Sequence, residues 1–309
     1  MTDENTGAVL DALRKVSGYE MVSADTCQIQ RLGGLTNLVY RVETNGKPVI
    51  VRIPGAGTEA YIDRKVELHN ARVAAEAGIA PQVLWGDDDT GVMISDCVEG
   101  IETMTPALFQ SRPGSPDRAG VALRALHGAK APFQFRFELF AMIDDYLSIL
   151  SGKDIALPAG YPDIVAAAQP IKQLLQDHPV PLTPCHCDPL CENFLDDGQR
   201  MWIVDFEYSG MNDPLWDLGD LSVEAGFDDA QDLAMLTAYY GVPPTAAQVG
   251  RMVIYKAMCD LLWTLWGLIQ HADDNPAEDF WAYAVGRFER CKALMTDPAF
   301  DRHLAAVRS

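Results

Sequence analysis

The sequence predicts an α+β chain of two lobes, on three observations. Short β-type runs broken by turn residues fill the first hundred positions, around a single strong helical run. Beyond Gly100, apolar residues recur at helical spacing in six long runs. One hairpin signal interrupts those helices between Phe194 and Phe206. Together they describe a small β-rich N-terminal lobe with one main helix, residues 1–98, and a larger, mostly helical C-terminal lobe, residues 99–309.

Each element has its own warrant. Val9, Leu10, Leu13 and Val16 share one face of an opening helix over 7–17. Cys27–Leu32 and Leu38–Glu43 read as strands on either side of Gly33-Gly34. Asn45-Gly46 is a hairpin turn leading into a third strand, Pro48–Pro54. Arg64–Ala77 is helical and stops at Gly78. Gln82–Leu84 and Val92–Ser95 are two further strands around a polar turn. Helices are expected over 118–127, 137–150, 161–176, 229–240, 246–271 and 277–295. Within them Phe194-Leu195, the turn Asp196-Asp197-Gly198 and Met201–Phe206 form the one hairpin.

The 44 acidic against 24 basic side chains give a net charge of −20. A surface of that sign repels nucleic acid and anionic membranes, so neither is expected as a partner. No apolar run reads as a membrane span, and the N-terminus is polar and acidic, without the apolar core of an export signal. A cytoplasmic protein with reduced thiols is therefore expected, as a monomer or homodimer.

The stretch Cys185-His186-Cys187-Asp188-Pro189-Leu190-Cys191-Glu192-Asn193 admits two readings. Three thiols and an imidazole suggest a zinc knuckle. A structural zinc site, however, takes two separated ligand pairs, and here Cys259 and Cys291 stand singly on helical runs with no paired histidines. The same residues spell His-x-Asp-x4-Asn, the spacing of a phosphoryl-transfer loop. Asp188 would take up the proton of an acceptor hydroxyl. Asn193 would offer its carbonyl oxygen to Mg²⁺, and His186 would position the loop by hydrogen bonding. The hairpin returns the chain so that Asp205, in Val204-Asp205-Phe206-Glu207, lies beside Asn193 as a second hard oxygen ligand. Taken singly, Asp188 is a turn residue before Pro189 and Asp205 a strand-end cap. Their joint spacing is what favours the transferase. A non-catalytic nucleotide- or metal-binding module is the alternative of a different class.

The N-terminal lobe holds matching parts. Gly33, Gly34, Thr36 and Asn37 lie in a turn between strands, where backbone N–H groups can meet phosphate. Arg52 is a cation inside the apolar strand Val49–Ile53, and Glu67 on the following helix can hold it.

These residues resemble the choline/ethanolamine kinase family, within the aminoglycoside-phosphotransferase-like group of protein-kinase-like folds. The resemblance runs from about Arg31 to about Leu294. It rests on GGLTNLVYRV, VIVRIPG, the helix carrying Glu67, HCDPLCENFL, IVDFEYSGMNDPLWDLGDLSVEAG, LLWTLWGLIQ and DFWAYAVGRF. It implies a bilobal kinase-like fold that uses ATP and Mg²⁺ to phosphorylate choline. Ethanolamine, an aminoglycoside or another small hydroxyl compound are the alternatives. Asp188 is then the base, Asn193 and Asp205 the metal ligands, and Glu207 their support. Ser95, Cys97 and Val98 lie on the connector that meets adenine. Arg52 suits the family, which commonly carries Arg at this position. Trp263 and Trp266, three apart on one helix, with Phe280, Tyr283 and Trp281 as further walls, would enclose a quaternary ammonium, and Glu224 or Asp217 would supply negative charge. A buried helix has the same Trp/Leu pattern, so core packing is the competing reading. The chain departs from the family's pattern at Cys187, commonly Asn, and near Asp228–Asp229, where many choline kinases carry an aromatic residue.

Overall fold

The N-terminal lobe is an antiparallel sheet whose period-two pattern sorts its side chains to two faces. The computed structural model describes residues 5–32, 37–44, 46–55 and 62–309. Helix α1 (Thr6–Leu13) precedes β1 (Gln28–Arg31), β2 (Asn37–Glu43) and β3 (Val49–Pro54). Helix α2 (Arg64–Glu76) leads to β4 (Val83–Gly86) and β5 (Met93–Asp96), and the sheet runs β1-β2-β3-β5-β4. Tyr40, Val42, Val49, Val51 and Ile94 point to one face and pack with Val9, Leu10 and Leu13 of α1. Alternation sends Arg52, next to Val51, to the opposite face, where α2 lies. Asp63 caps α2 by accepting from the amides of Lys65 (3.0 Å) and Val66 (3.2 Å), a contribution of about 1 kcal/mol.

Helix α2 also ties this sheet to the rest of the chain. Its Ala71, Val73, Ala74 and Ala75 belong to the core of the C-terminal lobe, and Asn70 donates to the Ser209 carbonyl at 3.0 Å. After β6 (Glu102–Thr103) come α3 (Pro106–Ser111), α4 (Ser115–His127), α5 (Leu139–Ser151) and α6 (Tyr161–Asp177). Strand β7 (Thr183–Cys185), a 3-10 turn (Cys191–Asn193), β8 (Phe194–Asp196), β9 (Met201–Ile203) and β10 (Gly210–Asn212) follow. The chain closes with α7 (Pro214–Ala225), α8 (Asp229–Tyr240), α9 (Ala246–Ala272), α10 (Phe280–Thr296) and α11 (Phe300–Arg308).

The expected hairpin is present as β8–β9, and β6 extends it. It is joined by a second, unexpected ladder, β7 with β10. Helices α3, α7 and α11 were also not anticipated. Helix α9 is long and apolar enough to cross a membrane by length and composition, although no run reads so in the sequence. Most of it is buried against α7, α10 and α11, which makes it the core helix of this lobe. Gly219 lets α7 come close to α9, because a Cβ there would stand 2.8 Å from the Met252 carbonyl oxygen.

Candidate active site

The His-x-Asp-x4-Asn stretch is the bridge from β7 through the 3-10 turn to β8. Its backbone is held from α7. Asp217, wholly buried, accepts from the amide of His186 at 2.6 Å through one oxygen and from that of Cys187 at 2.8 Å through the other. His127 Nε2 lies 3.0 Å from the same carboxylate, and Trp216 Nε1 donates to the Cys187 carbonyl at 2.9 Å. These contacts hold Cys187 at φ +67°, a left-handed conformation that a cysteine rarely adopts. The buried His186 ring sits 2.9 Å from the Val204 carbonyl through Nε2, a bond that ties the loop to the far end of the hairpin.

Asn193 gives its amide nitrogen to the Asp188 carbonyl at 3.1 Å, which leaves Oδ1 as its acceptor atom. Its own carbonyl accepts from Val204 N at 3.0 Å, so Asn193 lies opposite the residue before Asp205. Asp205 also adopts φ +67°, a conformation aspartate tolerates better than most residues. Arg52 reaches from β3 to Asp205 Oδ1 at 2.8 Å and ion-pairs with Glu67, whose side chain is 1% exposed. Arg64 Nη1 donates to Glu67 at 2.8 Å and stands 3.7 Å from Glu207. Asn37 Nδ2 donates to Glu207 at 3.1 Å. One oxygen each from Glu67, Asp205 and Glu207 lies within 4.8 Å of the others, a hard-donor set suited to a divalent cation. Burial disfavours the Arg52 charge, but Glu67, Asp205 and Glu207 more than offset it and raise its pKa. Burial and then the Asp205 charge push Glu207 up to about 7, against the pull of Arg52.

The other side of Asp188 has a different character. Burial, followed by Asp220, Glu224, Glu207 and Asp205, pushes its carboxyl well above the usual carboxylate range. Near it stands a group of aromatic rings. Trp266 meets Phe280 and Tyr283 edge-on with centroids 5.5 and 5.8 Å away, and its indole N–H donates to the Tyr208 hydroxyl at 3.0 Å. Tyr208 in turn meets Trp263 at 5.5 Å, and Trp263 Nε1 donates to Asp220 at 3.0 Å. Glu224 is held by Arg287, which lies 4.6 Å over the Tyr283 ring. Arg287 and Arg290 both pair with Asp260 at the back of this wall.

Comparison with known proteins gives this arrangement its lineage. Residues 28–249 match the model of the phosphotransferase enzyme family. The chain is similar to a choline/ethanolamine kinase family protein from Mesorhizobium loti, at 57% identity over 98% of this chain and 99% of that one, with a TM-score of 0.89. The chain belongs to the choline/ethanolamine kinase family. It also resembles choline kinase LicA from Streptococcus pneumoniae, at 28% identity, covering 87% of this chain and 93% of that one with a TM-score of 0.73. Among curated sequences it is similar to ethanolamine kinase 1 of Mus musculus, at 26% identity over 305 residues, covering 83% of this chain and 80% of that one. As a member of this family the chain is an ATP-using kinase with an alcohol acceptor, and its two-lobed α+β architecture is the protein-kinase-like fold of the family.

Against the residues expected of a choline/ethanolamine kinase, the structure groups most and separates a few. Asp188, His186, Asn193, Asp205, Glu207, Arg52, Glu67 and Asn37 meet where the two lobes join. Gly33, Gly34 and Thr36 lie outside the described residues. Ser95, on β5, pairs with Ile50 of β3, and Cys97 and Val98 are half-buried just beyond it. Asp217 does not fit the role of substrate counter-charge: both its oxygens are taken by the loop amides, behind the loop. Trp281 is exposed and meets His271 in a tilted contact at 5.6 Å. Asp228 is the N-cap of α8, satisfied by a reciprocal bond with Gln231.

Tyr208 and Asp220 escaped the sequence reading. Their signal was a Trp N–H on a buried helix, which needs an acceptor wherever it packs. The three thiols of the zinc reading, Cys185, Cys187 and Cys191, do not form a joint set of ligand atoms among the described residues; Cys185 lies instead with His127 and Asp217, whose carboxylate is taken by the loop amides. Burial pushes all three thiols up, and Cys185 and Cys187 donate to backbone carbonyls of Asn212 and Cys185. They serve as small apolar side chains.

Proposed function

We propose that the protein transfers the γ-phosphoryl group of ATP to the hydroxyl of choline, giving phosphocholine and ADP. The observation that carries this reading is the placement of Trp263, Trp266, Tyr208, Phe280 and Tyr283 beside a group of carboxylates that bears on Asp188. Aromatic faces with nearby negative charge hold a quaternary ammonium, which has no N–H to donate.

Asp188 binds the acceptor hydroxyl and takes its proton as the new O–P bond forms and the bond to the ADP oxygen breaks. Burial and the surrounding carboxylates raise its pKa, and the cationic head of the acceptor would counter that rise and favour the ionised, proton-accepting form. Asn193 and Asp205, with Glu207 beside them, would hold Mg²⁺, which supplies positive charge to the phosphates. Arg52, oriented by Glu67, faces phosphate oxygens with its forked donors. His186 keeps the loop seated on the hairpin.

The kinship with ethanolamine kinases supports a second acceptor of the same class. ADP release from Mg-ATP with choline, ethanolamine and an aminoglycoside side by side tests the reading. Choline is expected to give the highest kcat/KM. Turnover with the aminoglycoside alone would keep the kinase and remove the ammonium pocket.

A further inference from the structure

Asp220 lies in α7 with 1% of its surface exposed. Its Oδ2 accepts from Trp263 Nε1, while Oδ1 is buried with no hydrogen-bond partner among the described residues. A bare buried carboxylate oxygen is costly, because it has given up water without gaining a donor. Its neighbours satisfy it at most weakly. The Cys259 thiol beside it stabilises the carboxylate slightly, but its well-formed bond goes to the Lys256 carbonyl at 3.2 Å. Arg287 directs its two terminal nitrogens to Glu224 and Asp260, and Arg290 binds Asp260. Glu224, one helical turn along α7, adds negative charge instead of relieving it. The Asp220 charge bears on both Asp188 and Tyr283, so it stands within Coulomb reach of both the loop and the aromatic rings.

We infer that Asp220 is a specificity-determining residue for the acceptor, fixing Trp263 with one oxygen and offering the other as counter-charge to the acceptor's cationic nitrogen. This rests on the amino-alcohol reading above. Burial and then Glu224 raise the Asp220 carboxyl well above its ordinary range, against the pull of Arg287, Trp263 and Cys259. A cation held beside it opposes that rise. The pocket therefore selects by charge as well as by shape, and a neutral molecule of choline's outline gains the aromatic contact without the ionic one.

Asp220→Asn tests this, because the amide keeps the volume and an oxygen for Trp263. Titration calorimetry would compare choline with its uncharged carbon isostere, 3,3-dimethylbutan-1-ol, on both proteins. The wild type is expected to favour choline by about 10-fold or more, and the variant to lose most of that preference while isostere affinity changes less than about two-fold. Asp220→Glu, which restores the charge, should recover the preference. Equal losses for both ligands would mark a purely structural residue and overturn the assignment, as would unchanged choline affinity in Asp220→Asn. Should neither variant fold, a wild-type protein that binds isostere and choline equally overturns it. If the wild type binds neither choline nor ethanolamine, the amino-alcohol reading falls and takes this one with it. Normal wild-type binding with an indifferent variant removes the Asp220 assignment alone.

Discussion

The two faces of Asp188 are built on opposite electrostatic plans. Toward the N-terminal lobe, Glu67, Asp205 and Glu207 are matched by Arg52 and Arg64, in contacts that span both lobes. Toward α7, α9 and α10, Asp188 and Asp220 form no ion pair among the described residues, only the more distant pull of Arg287 on Asp220, and rings take the place of paired cations. The arginines on that side sit behind the wall, on Glu224 and Asp260. A polyanionic phosphate donor needs the first plan and a cationic acceptor the second. On the proposed reading the reacting hydroxyl belongs at their boundary, which is where Asp188 stands.

That division can be broken or sharpened by substitution. The largest effect is expected at the boundary: Asp188→Asn should lower kcat by roughly 10²–10⁴-fold. Nucleotide affinity measured by calorimetry should stay unchanged, since the acceptor side carries the loss. Substantial residual turnover would remove Asp188 from its role. Next, Arg52→Met leaves the buried Glu67 with Arg64 alone and Asp205 without its arginine, and should cost about 1–3 kcal/mol in chemical denaturation. It should also raise the KM for ATP and leave choline affinity in place. If choline affinity fell instead, the two plans would not be separable. On the other face, Trp266→Phe keeps a ring but drops the bond to Tyr208. Its KM for choline should rise about 2–5-fold with the KM for ATP constant. The smallest effect is expected at Cys187→Asn, where a residue better suited to the left-handed turn should stabilise the protein by less than about 1 kcal/mol. A lowered denaturation midpoint would show that burying the amide outweighs the relief of strain.

The phosphate-facing half was the more legible in the sequence, for a physical reason. Its parts sit on short, strongly patterned segments: an alternating strand for Arg52, a capped helix for Glu67, and a hairpin whose length fixes Asp205 against Asn193. Spacing along the chain therefore translates into spacing in space. The acceptor-facing half comes from α7, α9 and α10, brought together only by tertiary packing. Helix α7 has no legible period because every residue from Leu215 to Val223 is buried, so no polar face alternates with an apolar one. Asp217 and Asp220 lie inside that run, where a carboxylate looks out of place until its partners are known. The strands β7 and β10, three residues each, are too short for alternation to register. Tyr208 lies between two strands in a stretch with no periodicity.

The bonds from Asp217 to the two loop amides also constrain the order of events as the chain matures. The loop precedes its anchor by about thirty residues, so during synthesis it emerges first, with its left-handed turn at Cys187 unsupported. Local preference opposes that turn, and the docking of α7, which itself rests on α9, supplies the bonds to both loop amides. The loop is thus expected to take its final shape once the helical scaffold closes, and a nascent chain halted before α9 would hold all of the loop's letters without the support that α9 gives its anchor.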